Sequence, residues 1–149
     1  MKTIFDEQAR QGLLARIDKL TPDCTPRWGK MNAEQMLAHL VEAMKLGTGD
    51  IQAKPRKTPF RRWPMQQLII YLLPWPKGAP TAKELIRTDS DAGTLAMNRE
   101  ELARLVGVIV SRGNETDWPE HPAFGKLSRR AWGVLGWRHI DHHLRQFGL

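Results

Sequence analysis

The chain has 149 residues, of which 41% are hydrophobic and 26% are charged, a composition that excludes wholesale disorder and suits one ordinary domain. Its single cysteine, Cys24, excludes an internal disulfide and is expected to be an inert thiol, while the formal charge of +7 favours acidic partners. The N-terminal segment lacks the apolar core of a secretory signal, and the longest apolar stretch, 65–75, is interrupted and about half as long as a membrane span requires, so we expect a cytoplasmic protein without a membrane contact.

Four segments have helical periodicity, and the first two lie in the N-terminal third of the chain. The first spans about 5–20, and we expect Thr3 to cap it. The second begins at Asn32, which forms a capping pair with Gln35, and runs to about Leu46, where Gly47 is expected to end it. The apolar stripe of the first helix is Ala9, Leu13, Ile17 and Leu20, and that of the second is Met36, His39, Leu40 and Ala43.

The third and fourth helical segments follow a long irregular region. The third is expected to start near Asn98, with Glu101 completing a capping box, and to end at Gly113. The fourth is expected to start after Ser128 and to end at about 146–147. The core-facing stripe of the third helix is Leu102, Leu105, Val106, Ile109 and Val110, and that of the fourth is Trp132, Leu135, His139, His143 and Gln146.

The region 47–96 between the second and third helices holds six of the ten prolines, which forbid a long uninterrupted helix. Short helices are predicted at 65–73 and at 81–87, the latter with Thr81 and Glu84 as its capping pair. No alternating β pattern of useful length is present. The pattern therefore predicts one all-α domain over 1–149, a four-helix bundle with a long proline-rich crossover that carries short helices.

A basic cluster and an apolar segment lie within this crossover. A solvated, flexible loop is the favoured interpretation of the cluster, although the flanking Trp63 and Trp75 also suit nucleic-acid binding. The apolar segment 63–75 is expected to pack on the core; it could instead cover a site or meet a second subunit, and a homodimer is the expected assembly. The cluster consists of Lys54, Arg56, Lys57, Arg61 and Arg62.

The five histidines suggest a metal site. His139 and His143 are one helical turn apart, so both imidazoles can point at one ion. His39 lies on a core-facing stripe of another helix and can supply a third nitrogen. Three imidazoles leave at least one position of a divalent ion open to water or substrate, as in catalytic sites. The alternative is that His39 is an ordinary core residue and that the pair on the last helix arose by chance.

Three further residues on the last helix lie close to these histidines. His142 points about 100° away from His143 around the helix axis and is expected to act in the second shell or at the rim of the site. Gln146 lies one turn further on and could hydrogen-bond a ligand histidine. Asp141 lies on another face of the helix, where we expect it to be solvated.

The pattern His139-x-x-His142-His143-x-x-Gln146, with His39 on the second helix, resembles the DinB/YfiT-like superfamily of four-helix-bundle proteins, which are regarded as metal-dependent enzymes. The resemblance implies that His39, His139 and His143 are the metal ligands. A narrower resemblance is to an uncharacterised bacterial subgroup with Trp-Gly-x-Met, His-Pro-x-Phe-Gly and His-His-Leu-Arg-Gln-Phe-Gly motifs. These begin here at Trp28, His121 and His142.

Characterised members of the superfamily resemble S-transferases that use low-molecular-weight thiols, and one branch isomerises maleylpyruvate. The resemblance thus implies a Zn, Ni or Fe ion that holds a thiol as thiolate for attack on a small electrophilic substrate. Arg61 and Arg62 could then attract an acidic thiol, in which case replacing both by alanine would raise its Michaelis constant. The rivals are a non-catalytic nucleic-acid-binding protein and an inactive dimeric scaffold that has kept its histidines.

Overall fold

A computed structural model describes residues 1–77, 85, 93–115 and 117–149. Its helices are α1 (Glu7–Ile17), α2 (Ala33–Thr48), α3 (Met65–Gln67), α4 (Leu95–Ser111) and α5 (Arg129–Gln146). A 3-10 turn, Pro59–Arg61, precedes α3, and a π-helical turn, Leu68–Leu72, follows it. Within the described residues no strand is present, and one isolated bridge joins His121 to Gly125. The all-α prediction is therefore confirmed for this part of the chain.

Helix α1 is shorter than its apolar stripe predicts. Its cap is Asp6, whose carboxylate accepts the backbone N–H of Ala9 at 2.7 Å, so the expected cap at Thr3 is wrong. The Thr3 hydroxyl instead accepts the N–H of Phe5, one turn upstream of the helix. Leu20 is fully buried although it lies beyond the end of α1, because its side chain still faces the core.

Helix α2 begins as predicted and ends later. The Asn32 and Gln35 side chains form both hydrogen bonds of a capping box. The predicted stop at Gly47 is wrong, since the helix continues to Thr48 and ends at Gly49, which has a left-handed φ of 85°. A β-carbon on Gly47 would lie 3.2 Å from Ile109 of α4, so this glycine serves close helix packing instead.

Of the last two helices, α4 starts earlier than predicted, whereas α5 has the predicted boundaries. Helix α4 starts at Leu95, because the Thr94 hydroxyl accepts the Met97 N–H, and the predicted start at Asn98 is wrong. Glu101 does not cap the helix; it pairs with Arg104 at 2.7 Å. The predicted α5 is confirmed: Ser128 caps it and it ends at Gln146.

The short helix predicted at 65–73 is present as two consecutive elements, α3 and the π-helical turn. The second of them ends just before Pro74. Ile70 is fully buried, as core packing requires, whereas Trp63 and Leu72 are 81% and 71% exposed. The helix predicted at 81–87 lies outside the described residues apart from Leu85, which is buried. The apolar segment 63–75 is thus only partly a core element.

Helix α5 packs between its neighbours, against α1, α2 and the π-helical turn, while α2 packs along α4. The buried apolar residues form a core cluster to which all four long helices contribute. In the described part of the chain, no helix has both the length and the apolar character needed to cross a membrane. The largest fully buried core side chains on the long helices are Ile17, Met36, Leu37, Leu40, Leu102, Leu105, Val106, Ile140 and Leu144.

The His-Pro-x-Phe-Gly motif forms a tight turn before α5. His121 and Gly125 exchange both backbone hydrogen bonds, and Gly125 takes a left-handed φ of 72°. The His121 Nδ1 atom accepts the N–H groups of Ala123 and Phe124 at 3.1 and 3.3 Å. Desolvation, helped by the nearby Arg61 charge, lowers the pKa of His121 to about 4. The motif is therefore a structural turn built on a neutral histidine.

We expect this turn to make folding stability depend on pH. His121 has an ordinary pKa when the chain is unfolded, so its contribution is complete above about pH 6.5 and is lost as the pH falls towards about 4. In His121→Asn the side-chain oxygen can replace Nδ1 as acceptor but does not titrate. Between about pH 7.5 and about pH 5, wild type should lose about 2 kcal/mol more unfolding free energy than His121→Asn. Urea unfolding of the metal-free proteins measures this difference; equal losses would contradict it.

Candidate metal centre

Three histidine side chains from two helices meet at one interior point. His39 of α2 and His143 of α5 are 3% and 7% exposed, and His139 of α5 is partly exposed. One nitrogen from each ring lies within 4.8 Å of the other two, so the three residues could hold a metal ion. The Nε2 atoms of His39 and His139 are 3.0 Å apart. The predicted convergence of these three imidazoles is present in the structure.

The hydrogen bond on the far side of His39 determines which nitrogen faces this point. The His39 Nδ1 atom lies 3.1 Å from the backbone oxygen of Leu85, which can only accept, so the ring proton belongs on Nδ1. The Nε2 atom of neutral His39 is then a bare lone pair that faces Nε2 of His139. Only a proton on His139 or a shared cation makes this contact favourable, and a cation would also engage His143.

A side-chain relay sets the orientation of His143. Its Nδ1 atom lies 2.8 Å from Oε1 of Gln146, while the Gln146 amide donates to the backbone oxygen of Trp28 at 2.6 Å. This relay places the proton on Nδ1 and leaves Nε2 free for a ligand. Gly29 makes room for it, because a β-carbon there would lie 2.6 Å from the Gln146 amide nitrogen. The predicted hydrogen bond between Gln146 and a candidate ligand is present.

Burial keeps all three imidazoles neutral near pH 7. Desolvation is the main cause in each case, and the neighbouring histidines add to it for His139 and His143. The pKa of His143 falls to about 3, that of His139 falls well below its usual value, and that of His39 is also lowered, although the Leu85 carbonyl opposes this. A neutral imidazole has one unprotonated ring nitrogen, and this is the form of histidine that binds metal ions.

The donor set fits a divalent transition-metal ion. Two nitrogens on a tetrahedral zinc ion lie about 3.4 Å apart, close to the 3.0 Å between His39 and His139. Two of the rings also carry the outer hydrogen bonds that usually fix metal-bound imidazoles. Three nitrogen ligands leave one or more positions for water or substrate.

The protein family described as "Protein of unknown function (DUF1569)" matches residues 5–148. The chain belongs to this family. The match includes all three histidines, both helices that carry them and the turn before α5. No curated protein and no solved structure matches the chain. The family description names no metal and no reaction.

His142 lies beside the centre and faces an aromatic pocket. Its ring is 5.3 Å from that of His143, and it lies near both Trp28 and Trp75, at 5.8 and 5.9 Å between ring centroids. The Trp75 ring is also 5.8 Å from that of His139. His142 therefore lies at the rim of the histidine centre, which is one of the two positions predicted for it; the other was a second-shell role.

Asp141 is buried, and the prediction that it is solvated is wrong. It is 7% exposed, and its two oxygens lie 2.6 and 2.9 Å from the guanidinium groups of Arg16 and Arg145. Arg16 belongs to α1, which packs on this face of α5. The helix has two buried faces, and the sequence period identifies only the one that carries the histidines.

The basic cluster divides into exposed residues and one residue held in place. Lys54, Arg56, Lys57 and Arg62 are exposed, as predicted for a solvated loop. Arg61 is not: it donates to the carbonyls of His121 and Pro122 and pairs with Glu120 at 3.0 Å. It thereby fastens the crossover to the turn before α5. The assignment of Arg61 and Arg62 to cofactor binding stays a prediction.

Sequence reasoning did not predict the backbone and aromatic contacts that surround the centre. The carbonyls of Leu85 and Trp28 orient the ligand rings, directly or through Gln146, and backbone atoms leave no side-chain signal. For Trp75 the sequence left several roles open: stacking on nucleic acid or, within the segment 63–75, packing on the core, covering a site or meeting a second subunit. Trp28 and Gly29 had a signal in the Trp-Gly-x-Met motif, which the structure explains as the seat of Gln146.

Proposed function

We propose that the chain is a DinB-like four-helix-bundle enzyme that holds one divalent metal ion, Zn, Ni or Fe, on His39, His139 and His143 and transfers a low-molecular-weight thiol to a small electrophile. The observation that carries the proposal is the convergence of one nitrogen from each of the three rings to within 4.8 Å of one another, with the His39 and His143 rings held by outer hydrogen bonds. The superfamily signature on the same histidines supports it.

The roles of the residues follow from their contacts. The three histidines would supply neutral nitrogen ligands, and Gln146 would hold the His143 ring at its ligating angle. A divalent cation in such a site lowers the pKa of a bound thiol and holds it as thiolate. Trp75 lies over His139 and would limit the access of water to the reacting sulfur. The thiol and its electrophile would enter beside His139, the least buried residue of the three.

Thiol transfer can be tested with monochlorobimane, which becomes fluorescent when a thiol sulfur displaces its chloride. The sulfur–carbon bond forms, chloride leaves and the thiol proton passes to solvent, so no further reactant is needed. We expect zinc-, nickel- or iron-loaded wild type to accelerate the reaction of cysteine or glutathione by at least about 100-fold over the metal-free protein. His39→Ala should remove this acceleration.

The matched control for this assay is His121→Asn, which removes a buried histidine outside the centre. It should keep the metal-dependent rate at a pH near neutrality. Equal rates for metal-loaded wild type, metal-free wild type and His39→Ala, with every metal and both thiols, would contradict thiol transfer. Metal binding itself would then be judged separately by metal content.

A second candidate is nucleic-acid binding, favoured by one observation. Trp63 is 81% exposed and directly follows the exposed Arg62, so an indole and a guanidinium are both available to a base and a phosphate. Submicromolar binding in a gel-shift titration that weakens steeply with salt and with Trp63→Ala would support it. The exposed Trp63 and Leu72 are equally the residues expected in a homodimer contact, and analytical ultracentrifugation distinguishes that assembly.

A further inference from the structure

An aromatic pocket of about 340 Å³ adjoins the histidine centre on the side of His142. Its wall includes three tryptophans, Trp28, Trp75 and Trp137. Trp75 contacts the rings of both His139 and His142, so a single layer of rings separates the pocket from the candidate metal ligands. The volume is that of a small-molecule site.

The charge of this pocket is predominantly positive. Among the residues that the structure describes, Lys77, Arg138 and Arg145 line it, against one carboxylate, that of Asp141. Both oxygens of Asp141 are already paired, one with Arg16 outside the pocket lining and one with Arg145. The acid is therefore compensated, and the pocket keeps an excess of positive charge.

Two of the cations are arranged on the aromatic walls. The Lys77 ammonium lies 4.9 Å from the ring centre of Trp28, and the Arg138 guanidinium lies 5.4 Å from that of Trp75. Arg138 donates to the carbonyls of Ile69, Ile70 and Leu73, which fix its position without cancelling its charge. Flat apolar surfaces beside positive charges suit a flat anion.

We propose that this pocket binds a flat, conjugated or aromatic carboxylate, with the ring system against Trp28, Trp75 and Trp137 and the carboxylate towards Lys77 and Arg145. The inference rests on the proposed function in one respect, namely that the bound molecule is the substrate presented to the metal centre. Binding to the pocket needs no metal. The three histidines do not specify the electrophilic substrate. The chemistry of the pocket assigns it to the class of flat carboxylates.

Isothermal titration of the metal-free protein with cinnamate tests the pocket, with cinnamamide as the neutral analogue and butyrate as an anion without the ring. We expect cinnamate to bind at least about tenfold more tightly than either analogue. Lys77→Met and Arg145→Met should each weaken cinnamate binding about fivefold and leave cinnamamide binding unchanged. Trp28→Leu should weaken the binding of both aromatic compounds.

The matched control is Arg104→Met, which removes an exposed arginine from α4 outside the pocket lining and should change nothing. Equal affinity for cinnamate and cinnamamide, or unchanged cinnamate affinity in Lys77→Met and Arg145→Met, would overturn the inference. The outcome is distinguishable from that of the thiol-transfer assay. Cinnamate binding without metal-dependent thiol transfer would leave the pocket standing and refute the reaction, and the reverse result would refute only the pocket.

Discussion

Zinc should raise the melting temperature of the wild-type protein by about 10 °C when free zinc exceeds its dissociation constant about 1000-fold, and His143→Ala should lose most of this rise. The reason is that an ion held by three nitrogens binds only the folded chain, in which α2 and α5 bring His39, His139 and His143 together. Removing one of the three should lower zinc affinity by more than about 100-fold. This loss is larger than that from removing a hydrogen-bond partner of a ligand, which is about 10- to 100-fold.

Differential scanning calorimetry with and without zinc measures this effect. His121→Asn is the control, because His121 is not one of the three converging histidines and, among the described residues, its hydrogen bonds lie in the turn before α5 and its ring packs on Phe124 and Trp132. Its zinc-dependent rise should equal that of wild type at a pH near neutrality. The same rise in His143→Ala as in wild type would mean that zinc binds elsewhere, and the proposed centre would be wrong.

Asp141→Asn should lower the free energy of unfolding by about 2–3 kcal/mol. The substitution keeps the shape of the side chain but removes the charge that compensates Arg16, which is 27% exposed and only 2.6 Å away. Arg16 also donates to the backbone oxygen of Leu149, so it cannot leave the interface between α1 and α5 without losing a second contact. The exposed Arg145 should contribute little of this loss.

Urea unfolding of the metal-free proteins at a pH near neutrality measures this change. Glu101→Gln is the matched control, since it makes the same carboxylate-to-amide change in the exposed pair with Arg104 and should leave the midpoint unchanged. An equal midpoint for Asp141→Asn and wild type would show that the buried pair contributes nothing.

The histidine centre could be predicted because its signal is local. His139 and His143 are one turn apart on a helix whose start at Ser128 is encoded by an ordinary cap, and the capping box at Asn32 fixes the helix that carries His39. These short-range features place all three rings on core-facing stripes. That the stripes meet was an assumption, which the structure confirms.

The features that could not be predicted depend on which elements touch. Asp141 is buried because α1 covers a second face of α5, and no residue near Asp141 in the sequence reveals that Arg16 will lie there. Gly47 lies within α2, where Ile109 and Trp132 pack closely against it, and Gly49 is the residue with the left-handed φ that ends the helix. Tertiary contacts therefore reversed local signals that were individually reasonable.

Cations outside the predicted basic cluster also lie near the histidine centre. The basic cluster was expected to attract an acidic thiol, but Arg61 is held by the turn at His121 and Pro122. The cations that lie beside the histidine centre are those of the aromatic pocket, including Arg138 and Arg145. Sequence reasoning could not find them, because the crossover and α5 meet only in the folded chain.

The metal content of protein purified without a histidine tag tests the central claim most directly. Elemental analysis should find about one divalent transition-metal ion per chain in wild type, retained through gel filtration or restored by incubation with zinc, nickel or iron salts, and almost none in His143→Ala. Equal metal content in the two proteins, or none in wild type after incubation with each salt, would contradict a metal centre at these histidines.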